Sequence, residues 1–165
     1  MEVSGDDIFE RIASQPERPH IIFTGHLGNF ELLPIAGATF GMKVTALFRP
    51  PNNPYIADYL LSKRRSAMGK LLPSRGGAAL ALARILDAGG NIGVLVDQKF
   101  LNGIRTTFFG RECETSPLLP KLARQYDCDV YPAYCVRLPG NRFRLTFEEK
   151  LELPRTADEI GRAHV

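Results

Sequence analysis

The 165-residue sequence contains no tryptophan, only three cysteines and no long run of apolar residues. Cys113, Cys128 and Cys135 are odd in number, and their spacing fits neither a disulfide framework nor a CxxC metal site. The longest uncharged stretch with a helical pattern, 32–42, is far shorter than the roughly 20 residues that cross a bilayer. The sequence therefore predicts a reducing compartment and no membrane-spanning helix.

A strong excess of one charge is also missing, since 21 lysines and arginines face 18 aspartates and glutamates. The single dense basic cluster is 63–65, whereas a nucleic-acid-coating protein usually carries several, so no nucleic-acid partner is predicted. Residues 1–7 are acidic where a secretory signal would be basic and then apolar. With 44% hydrophobic residues the chain can build a core, and we expect one domain over residues 1–165.

Short apolar runs alternate with helical patterns along the chain. Strands are predicted at 20–25, 43–48, 92–96 and 130–136, and helices at 4–12, 30–40, 55–68, 78–88 and 115–126. Segment 99–114 is predicted as a long loop, and 143–147 as the partner of the preceding strand in a terminal antiparallel hairpin. This order predicts an α/β fold, with a mostly parallel central sheet flanked by helices and a site at the carboxyl ends of the strands.

The sharpest local pattern is His26-x4-Glu31, where the first long strand gives way to a helix. At about 100° per residue the two side chains cannot share one helical face, so His26 is predicted in the turn. From there its imidazole reaches the carboxylate of Glu31, which would orient it as a general base. No serine or cysteine lies in the motif, so the group to be activated is a substrate hydroxyl. The alternative is that His26 closes a turn and Glu31 is a favourable charge at a helix start.

Five segments in order resemble the lipid A biosynthesis acyltransferases of Gram-negative bacteria. They are the His26-x4-Glu31 motif, 48–54, 96–98, 106–110 and 130–133. The resemblance is to the late lauroyl or myristoyl acyltransferases, within the H-x4-D/E lysophospholipid acyltransferase superfamily. It implies a glycerol-3-phosphate acyltransferase-like fold and a role in lipopolysaccharide synthesis at the cytoplasmic face of the inner membrane.

The resemblance also implies a reaction. A hydroxyl on a Kdo-bearing lipid A precursor attacks the thioester of an acyl carrier protein, with His26 as general base and Glu31 as its orienting partner. Arg49 would contact acidic groups or stabilise the oxyanion, and Asp97 and Gln98 would line the acceptor pocket. The alternative for Arg49 is an arginine solvated at a strand end. The alternative for Asp97 and Gln98 is a cap on the following loop. No cofactor is implied, and no second histidine stands within metal-ligand spacing of His26.

Three further arginines fit an anionic glycolipid. Arg75 precedes a helix start, where it could bind a phosphate or a sugar carboxylate. Arg105 and Arg111 flank Phe108 and Phe109, which fits a charged headgroup beside an apolar groove. The alternative is that the three arginines are ordinary surface residues and that Phe108 and Phe109 belong to the core. The partners predicted are therefore the carrier protein, the anionic acceptor and a membrane surface.

Members of the family resemble one another over a longer chain, with an amino-terminal membrane-anchoring helix and further carboxyl-terminal helices. The sequence is therefore interpreted as a piece truncated at both ends, stopping inside a helix that 156–163 would begin. Two other functions remain open. Segment 26–29 is similar to the HxGH signature of nucleotidyl transferases, although 63–66 is a poor copy of their lysine–serine signature. The second is a decayed copy of the enzyme that still binds lipid or carrier protein. ATP binding would indicate the nucleotidyl transferase, and lipid binding without turnover would indicate the decayed copy.

Overall fold

The structure, a computed structural model, describes residues 1–15 and 17–153, so the helix predicted at 156–163 lies outside the described residues. The nine strands are β1 Glu2–Ser4, β2 His20–Thr24, β3 Val44–Phe48, β4 Lys70–Pro73, β5 Asn91–Leu95, β6 Ile104–Phe108, β7 Arg111–Thr115, β8 Asp129–Leu138 and β9 Arg142–Phe147. The five helices are α1 Asp6–Ala13, α2 Leu32–Thr39, α3 Pro54–Ala67, α4 Ala78–Asp87 and α5 Leu118–Gln125. These counts apply to the described ranges only.

Seven strands form one sheet in the order β1-β9-β8-β2-β5-β3-β4. Every neighbouring pair in it is parallel except β8 and β9, which form the terminal antiparallel hairpin. The predicted fold class is therefore confirmed. Because β2 and β5 pair in parallel, with Thr24 opposite Leu95, their carboxyl ends lie side by side.

Helices cover both faces of the sheet, which explains the continuous apolar runs of its central strands. Ile21 packs with residues of α4 and α5, while its neighbour Ile22 packs with residues of α1 and α2. Successive strand side chains point to opposite faces, so a strand buried on both faces shows no polar alternation. On the α1 side, Phe9 is fully buried against Phe147, with ring centroids 4.2 Å apart.

Four strands were not predicted, and one predicted loop is wrong. Segment 99–114 holds the separate hairpin of β6 and β7, joined by Phe109 and Gly110 with φ of 48° and 73°. Such a two-residue turn normally carries Asn-Gly or Asp-Gly, and a phenylalanine in its first position hides the signal. Every residue of β6 is exposed and β7 passes from exposed to half-buried along its length, so neither strand shows the alternation of a half-buried strand. The edge strands β1 and β4 are too short to show a period.

Candidate active site

The turn from Gly25 to Glu31 connects β2 to α2 and carries His26 outside the helix, as predicted. Gly28 adopts φ +56°, and a Cβ there would collide with the carbonyl oxygen of Cys135. Only glycine combines that conformation with so close a backbone approach. The tight turn thus brings His26 to the carboxyl edge of the sheet, where the α/β fold class places its sites.

His26 is held by Asp97, which follows the neighbouring strand β5. The imidazole Nδ1 lies 2.7 Å from Oδ1 of Asp97, and the backbone N–H of His26 donates to Oδ2 at 2.8 Å. Because a carboxylate only accepts, Nδ1 carries a proton, and in the neutral form of the ring Nε2 is the atom with the free lone pair. The Nε2 atom faces the side-chain amide of Gln98 at a long 3.4 Å, where a substrate hydroxyl can replace the amide.

The hydrogen bonds of the pair and two neighbours, Gly25 and Phe30, support this arrangement. Burial opposes ionisation of the Asp97 carboxyl, but the hydrogen bonds donated by the backbone and ring of His26 outweigh it, so the pKa of Asp97 lies below its usual value. Gly25 allows the carboxylate to approach the backbone, since a Cβ at this position would lie 3.2 Å from Oδ2 of Asp97. The ring of Phe30 contacts the imidazole edge-on, with centroids 4.9 Å apart.

Glu31 does not hold the imidazole, which corrects the predicted contact. Its carboxylate accepts a hydrogen bond from Nη2 of Arg64 on α3, and this ion pair is partly buried. Glu31 is the N-cap residue of α2 and faces α3, while the ring nitrogen that it was expected to bind is taken by Asp97. The basic cluster 63–65 is also divided, because Arg64 turns inward while Lys63 lies over the ring of Tyr59.

An apolar cavity of about 250 Å³ begins at His26 and runs between α2, α3 and the sheet. Its polar lining residues are Thr24, His26, Glu31, Arg49 and Arg64. The other lining residues are apolar side chains and glycines. They include residues of β3 and β5 and Gly37 of α2. A mostly apolar pocket with a few polar groups is the usual form of a small-molecule site.

A second, wider cleft of about 820 Å³ lies between the end of β5 and the β6–β7 hairpin. Asp97, Gln98 and Arg105 line it, together with Lys99 and the threonines of β6. The structure therefore gathers the predicted site residues into two neighbouring groups, with His26, Glu31 and Arg49 at the apolar pocket. Arg75 stands apart, exposed in the turn before α4, and lines neither cavity.

Two contacts of the site were not predicted from the sequence. Asp97 was expected in the acceptor pocket but not as the partner of His26, although both residues closely follow adjacent strand ends. Arg64 was considered only as part of a surface cluster, and no sequence signal distinguishes it from Lys63 and Arg65. Among the described residues, no group of His, Cys, Asp and Glu side chains is arranged to hold a metal ion.

An oriented imidazole set between an apolar pocket and a polar cleft, at the carboxyl edge of an α/β sheet, has the geometry of a general-base site. The chain matches the family described as bacterial lipid A biosynthesis acyltransferase over residues 1–164, and it belongs to this family. No curated protein matches the sequence. The family confirms the resemblance drawn from the five motifs and assigns the chain to acyl transfer. In the part of the chain that is described, no helix has the length and apolar character needed to span a membrane.

Proposed function

We propose that the protein moves a lauroyl or myristoyl group from the thioester of an acyl carrier protein to a hydroxyl of a Kdo-bearing lipid A precursor. One observation carries this proposal. The hydrogen bond between His26 and Asp97 joins two different cavities, because His26 lines the apolar pocket and Asp97 lines the polar cleft. An enzyme that joins a fatty chain to a charged glycolipid needs both environments at one reacting centre.

The apolar pocket accepts the donor. Burial of the fatty chain against the lining of α2, α3 and the sheet contributes about 0.8 kcal/mol for each CH₂ group. The thioester carbonyl then lies at the charged mouth, beside His26 and Arg49. The guanidinium of Arg49 supplies the positive charge that stabilises an oxyanion in the transition state.

The polar cleft accepts the glycolipid. Its lining also includes the carboxylates of Glu112 and Glu114, and within it Arg105, Lys99 and the amide of Gln98 offer charged and neutral donors to phosphate and sugar carboxylate groups. Binding of the headgroup there directs an acceptor hydroxyl toward the imidazole. Since the acceptor and its product are membrane lipids, we place the reaction at the cytoplasmic face of the inner membrane.

In the reaction, Nε2 of His26 takes the hydroxyl proton as the oxygen attacks the thioester carbonyl carbon. The tetrahedral intermediate collapses with cleavage of the C–S bond, and the imidazolium returns the proton to the leaving sulfur. The products are an ester and the free thiol of the carrier. Asp97 keeps the imidazole in one tautomer and stabilises the imidazolium, the role that a carboxylate has in catalytic triads.

Mass spectrometry of the lipid product tests the proposal. Purified protein, tetraacylated lipid A precursor and carrier protein loaded with lauroyl or myristoyl chains should yield a lipid heavier by one acyl group. His26→Ala should reduce the rate by about 10² to 10⁴, while Leu27→Ala, an exposed neighbour in the same turn, should not. Absence of acylated product with every donor, or full activity of His26→Ala, would refute the proposal.

A further inference from the structure

Large exposed apolar side chains concentrate on one short segment of the described surface. Phe100, Leu101, Ile104, Phe108 and Phe109 are all exposed, and Phe109 reaches 90%. These five residues, here called the hairpin surface, occupy β6 and its two flanking turns. The alternative that Phe108 and Phe109 belong to the core is therefore wrong. Apolar groups gathered in this way mark an interaction site.

The hairpin surface has no packing role within the described fold. Strands β6 and β7 pair only with each other, and the rings of Phe108 and Phe109 contact one another edge-on at 4.7 Å. Phe109 also adopts φ 48° at a turn position where asparagine or glycine is favoured. A bulky residue destabilises that backbone conformation, and burial inside the described fold does not compensate.

The charges around the hairpin surface point to the chemistry of its partner. Segment 99–111 contains Lys99, Arg105 and Arg111 and no acidic residue. Opposite residues of an antiparallel pair share one face, so Phe108 lies on the same face as Arg111, and Ile104 on the same face as Thr115. The carboxylates of Glu112 and Glu114 lie on the opposite face. One face therefore combines aromatic and aliphatic groups with a cation.

We propose that the hairpin surface docks the protein on an anionic lipid bilayer. Phe108 and Phe109 enter the boundary between headgroups and acyl chains, while Arg111, on the same face as Phe108, contacts lipid phosphates. Phe108 and Arg105 also line the polar cleft, so docking opens that cleft toward the lipid surface. This last consequence rests on the proposed acyl transfer, whereas the docking itself does not.

The absence of tryptophan gives a direct probe of the docking. Phe109→Trp places the only indole of the protein at the tip, and Tyr59→Trp places it on the exposed face of α3 as a matched control. Both variants are mixed with phosphatidylcholine vesicles, with and without phosphatidylglycerol, whose acyl chains carry bromine. We expect a blue shift and quenching for the indole at position 109 on the anionic vesicles, and neither for the indole at position 59.

A second set of variants separates docking from folding. Phe109→Asn suits the turn better, so its melting temperature should equal or exceed that of the wild type, while its partition onto anionic vesicles should fall about tenfold. Tyr55→Ser, which removes an equally exposed aromatic ring, should bind vesicles normally. No acyl substrate is needed, so failure here is distinct from failure of the catalytic proposal.

Three results would overturn the docking. An indole at position 109 that is unquenched by brominated lipid, or quenched no more than the one at position 59, excludes insertion of the tip. Emission that is blue-shifted before vesicles are added, in proportion to protein concentration, would assign the hairpin surface to a second copy of the chain. Wild-type vesicle binding by Phe109→Asn would likewise contradict the proposal.

Discussion

Nδ1 of His26 lies 2.7 Å from Oδ1 of Asp97, although 71 residues separate the two along the chain. Parallel pairing of β2 with β5 places both residues just beyond adjacent strand ends. The second oxygen of Asp97 accepts from the backbone N–H of His26, so the carboxylate orients the turn as well as the ring. The sheet itself therefore sets the orientation of the base.

Substitution of Gly25 tests how closely this orientation controls the reaction. The Cβ of Gly25→Ala would lie 3.2 Å from Oδ2 of Asp97, so the carboxylate must move by a few tenths of an ångström. We expect kcat to fall about tenfold or more, because small displacements of catalytic groups are costly, with little change in melting temperature. Gly76→Ala is the control, since its Cβ meets nothing within 4 Å. Equal activity of the two variants would show that the contact is not needed.

Glu31 and Arg64 should behave as one unit at the mouth of the apolar pocket. Removing either charge leaves the other partly buried without its partner, which disturbs the mouth rather than the base. We expect Glu31→Gln and Arg64→Ala each to raise KM for the acyl donor several-fold, with Arg65→Ala as an exposed control. A large loss in kcat for Glu31→Gln alone would instead restore Glu31 to the direct role that the family resemblance implies.

The length of the transferred chain should depend on Gly37. This residue lines the apolar pocket, and a Cβ there would make only an ordinary contact, 3.9 Å from Cβ of Met42. Gly37→Leu fills part of the pocket, so preference should shift toward shorter acyl donors, by about tenfold or more for each excluded methylene step. Competition between donors of different length measures the shift. Thr39→Leu lies on the exposed side of α2 and should leave the preference unchanged.

His20 should make the protein sensitive to acid. Burial lowers the pKa of His20, and the hydrogen bond between its Nδ1 and Asn91 offsets this only in part. Its Nε2 is buried and has no hydrogen-bond partner among the described residues. Because the folded pKa lies below the unfolded value of about 6.5, the unfolded chain gains the proton first as pH falls. The free energy of unfolding therefore decreases below about pH 6.5.

Urea unfolding at several pH values between about 7.5 and 5 measures this effect. His20→Gln removes the titrating ring, so its free energy of unfolding should depend less on pH than that of the wild type over this interval. Parallel curves for the two proteins would show that protonation of His20 does not control the acid stability.

The central sheet was largely predictable because its strands are buried on both faces. A run such as 20–24 is mainly apolar after its first residue, and Gly or Pro punctuates the intervals between elements. The hairpin of β6 and β7 was missed because Phe109 occupies the turn position of an asparagine. Its exposure on both sides also removes the apolar alternation on which strand prediction depends.

The residues of the site could be predicted from the sequence, but the contacts between them could not. The turn position of His26 follows from helical geometry, and the strand-end position of Asp97 follows from the apolar run before it. Which carboxylate binds the imidazole depends on the order of strands in the sheet, and adjacency of β2 and β5 is not encoded in local pattern. The contact of Glu31 with Arg64 likewise depends on how α2 and α3 pack together.

The most direct measurement is single-turnover acyl transfer by Asp97→Asn beside Asp87→Asn. The amide of Asp97→Asn would keep the size of the carboxylate but lose the charge that fixes the Nδ1–H tautomer of His26, whereas Asp87 is an exposed residue at the end of α4. We expect Asp97→Asn to lose about 10³ to 10⁴ in rate with a slightly lower melting temperature, because the ionised carboxylate with its lowered pKa contributes to stability, and Asp87→Asn to lose nothing. A rate for Asp97→Asn within a few-fold of the wild type would show that the pair of His26 and Asp97 is not the reacting centre.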